Sequence, residues 1–454
     1  MLPAARLYQL LLAGTSAGLA IALLLSSQTR PSGLAIALGL TLLYDGVVLG
    51  LGVVDARRGR SRRVSVARRP LDKLSIGREN PVHLTATAGK APALVKIRDD
   101  YPADFGGPQV EETLAFREAT REAIQCEIAP QETREITYTV FPKQRGVYAW
   151  GDLYLRQLGP WGLAWHDWRI PQAASVAVYP DLIGLRELSL RLTLQTSGNI
   201  RRARRMGMGT EFTELRDYST GDDLRFVDWK ATARKSRLLV RVLEPEQEQT
   251  LVILLDRGRL MTAQVAGLAR FDWALNAALA LALAGLHRGD RVGVGVFDRQ
   301  MHAWIPPERG AHQLPKLLAQ LTPIEPVFQE PDYLSAVTTV AQRQTRRALV
   351  VLLTDIIDQT ASAELFGAMA QLAPRYLPFC VALRDRRVDE RANRPAEDVQ
   401  SAYSRAVALD LLAQRQLALA KLKQRGVLVL DAPANQISTQ LVDRYLQLKA
   451  RNLL

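Results

Sequence analysis

The sequence predicts three structures in series: a two-helix transmembrane hairpin, an antiparallel β-sandwich-like domain, and an α/β domain with a Rossmann-type sheet. Three observations predict them. Two apolar runs, residues 7–27 and 34–54, each reach the ~20 residues a spanning helix needs. Residues 64–179 carry short alternating runs punctuated by Pro and Gly, the texture of antiparallel strands. From residue 250 onward, continuous apolar runs alternate with helical patterns, which calls for a parallel sheet covered on both faces. A chain of 454 residues with 48% hydrophobic content has material for these cores.

The hairpin comes first. A polar turn, Gln28 to Gly33, separates the two runs. A second span follows the first at once, and Ser26-Ser27-Gln28 is a poor cleavage site, so a signal peptide is the weaker reading. Gly14-Thr-Ser-Ala-Gly18 has the G-x-S-x-G spacing of a hydrolase nucleophile elbow, but that motif needs a strand-to-helix turn and here lies within a span. The same glycines form a GxxxG pair, as do Gly46 and Gly50, and both pairs are expected to pack the two helices together. Asp45 is costly in lipid and should face the other helix, or the interface near Tyr44.

The net charge of +13 is unevenly spread. Arg57, Arg58, Arg60, Arg62, Arg63, Arg68 and Arg69 follow the second span, and Arg201, Arg202, Arg204 and Arg205 form another cluster. A nucleic-acid groove combines cations with stacking aromatics. Neither cluster contains an aromatic, which argues against nucleic acid. The Arg57–Arg69 cluster abuts a span, and anionic lipid is its expected partner. Against it stands only Arg30 in the turn, so the positive-inside rule puts the N-terminus and everything after Val54 in the cytoplasm. Cys126 and Cys380 match no metal or redox spacing and read as buried, reduced thiols.

In the middle region, strands are expected at 82–87, 93–98, 113–116, 135–140, 151–156 and 176–179, arranged as a sandwich. Trp161, Trp165 and Trp168 read as a hydrophobic plug at one end of it, with an aromatic contact surface as the alternative. His166, alone among them, is no metal site.

In the α/β region, strands are expected at 250–256, 291–298, 347–355, 377–384 and 426–431, with an antiparallel edge strand at 302–305. Helices are expected at 271–287, 313–320, 334–343, 361–372 and 404–424. A sheet of order 3-2-1-4-5-6 binds ligands beyond the carboxyl ends of its first and fourth strands. Those ends carry Asp256, followed by Arg257 and Arg259, and Thr354-Asp355. Asp298 reads as turn chemistry.

Just before this region lies the densest stretch of the chain, Gly209 to Arg241. Six carboxylates and seven cations alternate there with Phe212, Leu215, Tyr218, Leu224, Phe226, Val227 and Trp229. Both signs of charge with aromatics between them argue for order. Arg216, Asp222, Arg225, Asp228 and Arg234 are expected to form one ion-paired network, with Trp229 packed beneath, joining the sandwich to the α/β domain.

The pattern Glu211-Phe212, Leu215-Arg216-x-Tyr218, Gly221-Asp222, Arg225, Asp228-Trp229-Lys230, Ala233-Arg234, then Asp256, resembles the signature of the "domain of unknown function 58" family. Those are bacterial proteins with a von Willebrand A-like domain, often encoded beside MoxR-type AAA+ ATPases. Lys143-Gln-Arg-Gly-Val-Tyr148 and Gly159-Pro-Trp-Gly-Leu163 resemble a second family feature, with Gly159 where Asp is usual and Trp161 where Phe is usual. The resemblance implies a bacterial inner-membrane protein with four segments: hairpin 1–55, β domain 56–180, signature segment or linker 181–245, and von Willebrand A-like domain 246–454. In related domains the crevice holds Mg²⁺ through Asp-x-Ser-x-Ser, a distant Thr and an Asp. Here Gly258 and Leu260 replace the two Ser, and the Thr position falls unaligned within Gln329-Glu330-Pro331-Asp332. The expected site is metal-free, its carboxylates satisfied by cations, with Mg²⁺ at Asp256 and Asp355 as the alternative.

No P-loop and no HExxH motif occurs, Gly293-Val-Gly295 lies inside a strand, and His83, His166, His287, His302 and His312 are dispersed. The functional expectation is therefore a membrane-tethered adaptor and not an enzyme. The resemblance implies a MoxR-type AAA+ ATPase as partner, alongside other membrane or envelope proteins, in complex assembly or maturation. The alternative is a hydrolase or transferase acting at the membrane surface.

Overall fold

The computed structural model describes residues 2–26, 31–71, 73–105, 123–203, 211–244, 249–357, 360 and 362–451. The chain divides into two compact units, Met1–Tyr179 and Pro180–Leu454.

The first unit opens with helices α1 (Ala5–Ser26) and α2 (Pro31–Ser61), both long and apolar enough to cross a membrane. Their apolar side chains, such as Leu12, Leu24, Leu38 and Leu43, are largely exposed. Gly14 and Gly18 do pack the pair: a Cβ at Gly14 would strike Tyr44 and Asp45, and one at Gly18 would strike Thr41. Gly46 and Gly50 face open space, so the second GxxxG pair has no part in the hairpin. Asp45 faces α1, and one of its carboxylate oxygens is buried without a hydrogen-bond partner among the described residues.

Helix α2 runs past Val54, since Arg is a good helix former and Asp55 ties the extension down. Asp55 is fully buried and accepts the backbone N–H groups of Trp161 (2.8 Å), Leu163 (2.9 Å) and Ala164 (3.2 Å). A side chain at Gly159 would occupy the space of that carboxylate, so only glycine fits there.

The rest of this unit is β-structure. A five-stranded antiparallel sheet runs Leu2–Pro3, Ala164–Ile170, Leu153–Leu158, Ala93–Asp99, Ile124–Ile128. Two three-stranded sheets accompany it: Ser65–Arg68, Asn80–Thr87, Thr133–Val140, and Leu74–Ser75, Ala174–Tyr179, Gly146–Trp150. Alternate residues point inward, as in Val82, Leu84 and Ala86, or Val95 and Ile97. Among them Asp99 is buried and accepts from Arg68 (2.6 Å), Tyr138 (2.6 Å) and Trp150 (2.9 Å). The strand expected at 113–116 lies outside the described residues.

One expectation changes in this unit. The tryptophans form no buried plug: Trp161 is exposed, and cations cover the rings, with Arg58 4.5 Å from Trp161, Lys96 5.1 Å from Trp165 and Arg63 5.6 Å from Trp168. Within the Arg57–Arg69 cluster, Arg68 is buried on Asp99, Arg58 and Arg63 lie over tryptophan rings, and Arg69 lies 3.8 Å from Glu135. Arg57, Arg58, Arg60, Arg62, Arg63 and Arg69 are all exposed.

The second unit begins with α3 (Leu182–Ala203), a helix where a linker is expected; its Leu185 and Leu192 are buried in the α/β core. Of the Arg201–Arg205 cluster, Arg204 and Arg205 lie outside the described residues. An antiparallel hairpin follows, Glu211–Asp217 with Leu239–Glu244, enclosing α4 (Trp229–Lys235). The main sheet has six strands in the order Met301–Glu308, Arg291–Phe297, Thr250–Asp256, Leu349–Thr354, Leu377–Arg384, Leu428–Pro433. All are parallel except the Met301–Glu308 edge, which gives 3-2-1-4-5-6 in chain order.

Helices α5 (Arg270–His287), α6 (Gln313–Leu321), α7 (Tyr333–Arg343), α8 (Ala363–Leu372), α9 (Arg386–Asn393), α10 (Val399–Gln424) and α11 (Ile437–Ala450) complete the unit. Leu251, Ile253 and Leu255 pack against α5 and α11, while Val252 and Leu254 pack against α7 and α8, so both faces of the central strand are dry.

Candidate functional site

The first and fourth strands lie side by side, with Leu255 opposite Leu353, so their carboxyl ends place Asp256 beside Thr354 and Asp355. Asp256 is only 1% exposed. One oxygen accepts the Gly258 N–H (2.7 Å); the other accepts the hydroxyls of Thr354 (2.6 Å) and Tyr333 (3.1 Å). The Tyr333 and Thr354 hydroxyl oxygens lie 3.0 Å apart, so either could donate to the other in place of its bond to Asp256. Burial pushes the Asp256 carboxyl up to about 6, against hydrogen bonds from Thr354, Gly258 and Tyr333 that favour the anion. Burial, with the Asp256 charge added, holds the Tyr333 phenol well above its ordinary value.

Asp355 is satisfied differently. Arg270, from the first turn of α5, reaches one oxygen at 2.7 Å, and Arg415, from α10, reaches the other at 2.7 Å. Arg415 also holds Asp431 at 2.9 Å and donates to the carbonyl of Ile356. Arg415 is itself buried, and the carboxylates of Asp355 and Asp431 overcome the cost of that burial and raise its pKa.

Cations thus satisfy Asp355 but not Asp256, which neutral donors hold, and they are not the expected cations. Arg257 turns to Asp298 (2.7 Å) and Arg259 to Glu330 (2.6 Å). Both follow Asp256 closely in sequence, yet Arg257 turns to the end of the neighbouring strand in a largely buried pair and only Arg259 is carried out to solvent. Asp298 also accepts the Gln300 N–H, so it serves both as a turn residue and as an ion-pair partner. The arginines that do the work sit on helices far along the chain, where no local spacing signals them. Tyr333 likewise follows the unaligned Gln329–Asp332 segment and supplies a hydroxyl in that region.

This donor set does not fit a divalent cation. Both oxygens of Asp256 are taken by neutral donors and both oxygens of Asp355 by guanidinium groups, whereas Mg²⁺ wants free oxygens in octahedral order. A Cβ on Gly258 would lie 2.8 Å from the Gln329 carbonyl oxygen and 2.9 Å from Pro331, so a serine ligand has no room there.

The signature stretch closes on itself. Asp228 caps α4 by accepting the Ala231 N–H (2.9 Å), and its other oxygen takes Arg241 (2.9 Å) across the hairpin. Arg216 holds Asp222 at 2.5 Å, and Arg237 holds Asp217 at 3.1 Å. These are separate pairs and not one network, and among the described residues Arg225 and Arg234 take part in no ion pair. Tyr218 continues the hairpin by donating its N–H to Leu238. Trp229 is 65% exposed, against the expectation that it packs beneath the charges. It occupies the first turn of α4, where Asp228 fixes the helix but no core lies below.

Residues 214–392 match the family model described as "Protein of unknown function DUF58". Proteins of Mycobacterium tuberculosis and Mycobacterium bovis, both described as uncharacterized, are 26% identical over 154 residues, which is 33% of this chain. The chain spans about half the length of these curated relatives, 48%. Among solved structures, BatB from Bacteroides thetaiotaomicron, a conserved hypothetical protein, is 14% identical with a TM-score of 0.30, covering 44% of this chain and 99% of its own. An aerotolerance-related membrane protein from Bacteroides fragilis is 14% identical with a TM-score of 0.29, covering 43% of this chain and 99% of its own. Scores this low carry nothing further.

Proposed function

We propose that this is a membrane-tethered interaction protein whose α/β domain is a degenerate von Willebrand A-like module, working without a metal ion. The observation that supports it best is the self-satisfied crevice. Asp256 is engaged at both oxygens by Gly258, Thr354 and Tyr333, and Asp355 is engaged by Arg270 and Arg415. What remains is a rigid scaffold with surface to present. The Arg-rich end of the hairpin orients the soluble parts to the cytoplasm, and the partner is a MoxR-type AAA+ ATPase, acting with this protein in complex assembly or maturation. Reciprocal affinity capture from membranes tests this: the tagged chain should retain the ATPase, and the tagged ATPase should retain the chain. Failure in both directions would remove the adaptor reading.

A hydrolase or transferase at the membrane surface draws on one specific observation. Thr354 donates to a carboxylate whose pKa burial has moved to about 6, an arrangement of nucleophile and base. Thr354 and Asp256 are both sealed from solvent, however, so no substrate reaches them. The adaptor reading is preferred on that ground.

A further inference from the structure

We infer that the signature hairpin is itself a docking surface, and that its occupant is an acidic segment of a protein partner carrying an apolar anchor. This deepens the adaptor reading and rests on it. Between the two hairpin strands the chain makes a structured excursion, a 3₁₀ turn at Leu224–Phe226 followed by α4. Ser236, at φ 52°, ends that helix in the left-handed region, and Gly221, at φ 111°, turns the chain into it. The excursion is therefore a fixed shape. At its surface Leu224 is 60% and Trp229 65% exposed, a large apolar contribution from so short a segment.

Charge identifies what covers it. Arg216, Arg237 and Arg241 are each paired with a carboxylate of the hairpin itself. Arg225, Lys230, Arg234 and Lys235 are exposed and form no ion pair among the described residues. Lys230 and Arg234 stand one helical turn apart, next to Trp229 and flanked by Lys235. Of the nearby carboxylates, Asp228 is committed to the cap and to Arg241, and Asp223, which accepts the Arg225 N–H, is a single exposed anion against four unpaired cations. The excursion thus presents an aromatic and a leucine beside an excess of unpaired cations, and Trp and Arg are among the side chains that most often dominate binding energy at interfaces. Guanidinium groups match carboxylates in a planar fork, and a fixed Trp beside them takes one apolar side chain. An anionic membrane would also attract the cations, but the excursion exposes only Leu224, Trp229 and, at its end, Leu238 as large apolar side chains, a small set for insertion.

The test uses the full chain in nanodiscs of zwitterionic lipid. The probe is a fluorescein-labelled peptide of about a dozen alternating Glu and Leu residues, read by anisotropy, with a Lys/Leu peptide of equal length as control. The Glu/Leu peptide should bind saturably and the Lys/Leu peptide should not. Trp229→Ala and Arg234→Glu should each weaken binding at least tenfold with an unchanged thermal midpoint, since both positions are exposed. Equal binding of both peptides, or Glu/Leu binding indifferent to both substitutions, would overturn the inference. Loss of peptide binding when the nanodisc lipid is made anionic would assign the surface to lipid and would also overturn it. Affinity capture separates this from the adaptor reading. If Trp229→Ala leaves capture of the ATPase intact, the docking surface lies elsewhere while the adaptor reading survives. If the unmodified chain captures no partner, the adaptor reading itself fails.

Discussion

Asp256 should make the protein less stable as pH rises from about 4 to about 6, opposite to the usual carboxylate. Its ordinary pKa is 3.8, and in the folded chain burial lifts it to about 6. Below 3.8 both the folded and the unfolded chain hold the proton, and the residue is neutral toward stability. Between 3.8 and about 6 the unfolded chain ionises while the folded chain keeps its proton, so unfolding gains. Above about 6 both are ionised and the full penalty of the buried charge applies. At ~1.4 kcal/mol per pH unit the interval is worth roughly 3 kcal/mol. Other carboxylates act in the opposite direction: Arg216 holds Asp222 low, and Lys316 holds Glu308 low. They are common to the unmodified chain and an Asp256→Asn variant, so the difference between the two isolates Asp256. Denaturant unfolding of both full chains in detergent micelles, followed by tryptophan emission at pH 4, 5, 6 and 7, measures it. The variant should gain stability relative to the unmodified chain across pH 4 to 6, by roughly 3 kcal/mol, and then run parallel to it. Any change in hydrogen bonding adds only a constant offset. A difference flat from pH 4 to 7 would refute the claim that Asp256 is sealed without a compensating cation.

Other outcomes follow from the same geometry. Arg415→Ala strips a buried guanidinium from both Asp355 and Asp431 and should cost about 3–5 kcal/mol in chemical unfolding. Arg259→Ala breaks an exposed pair and should cost no more than about 0.5 kcal/mol. Gly159→Ala drives a methyl group into the space of Asp55 and should lower the thermal midpoint of the full chain in micelles, as should Asp55→Ala, which orphans three backbone N–H groups. Reporter fusions at residue 60 and at the C-terminus should both read cytoplasmic, and a periplasmic signal from either would reverse the assigned topology.

Much of the α/β fold was legible in the sequence, because strands buried on both faces are continuous apolar runs and their alternation with helices calls for a parallel sheet, while the strand order was implied by the family resemblance. The expected strand at 250–256 is the observed Thr250–Asp256, and that at 377–384 is Leu377–Arg384. Helix α11 was legible but missed: Ile437, Leu441, Val442, Tyr445 and Leu448 repeat at helical spacing. The crevice was legible only by position. Asp256 and Asp355 end adjacent strands, but their partners Arg270, Tyr333 and Arg415 come from three helices, brought in by tertiary packing that no local pattern records. The signature stretch misled in another way. Interleaved charges and aromatics suggest a buried network, whereas a two-stranded hairpin has only two faces, and its excursion leaves Leu224 and Trp229 outside. The overrun of α2 and the role of Asp55 were likewise hidden, because the backbone donors that hold Asp55 lie a hundred residues away.

The central claim is that the α/β domain engages its partner without a divalent cation, and partner capture with and without the ion tests it most directly. The full chain is captured from membranes together with the AAA+ ATPase, once in excess EDTA and once in Mg²⁺, and the recovered ATPase is quantified. Recovery should be equal in both, since Gly258, Thr354 and Tyr333 occupy Asp256 and two arginines occupy Asp355. Recovery lost in EDTA, restored by Mg²⁺ in a saturable way, and no longer restored in Asp256→Ala would contradict it.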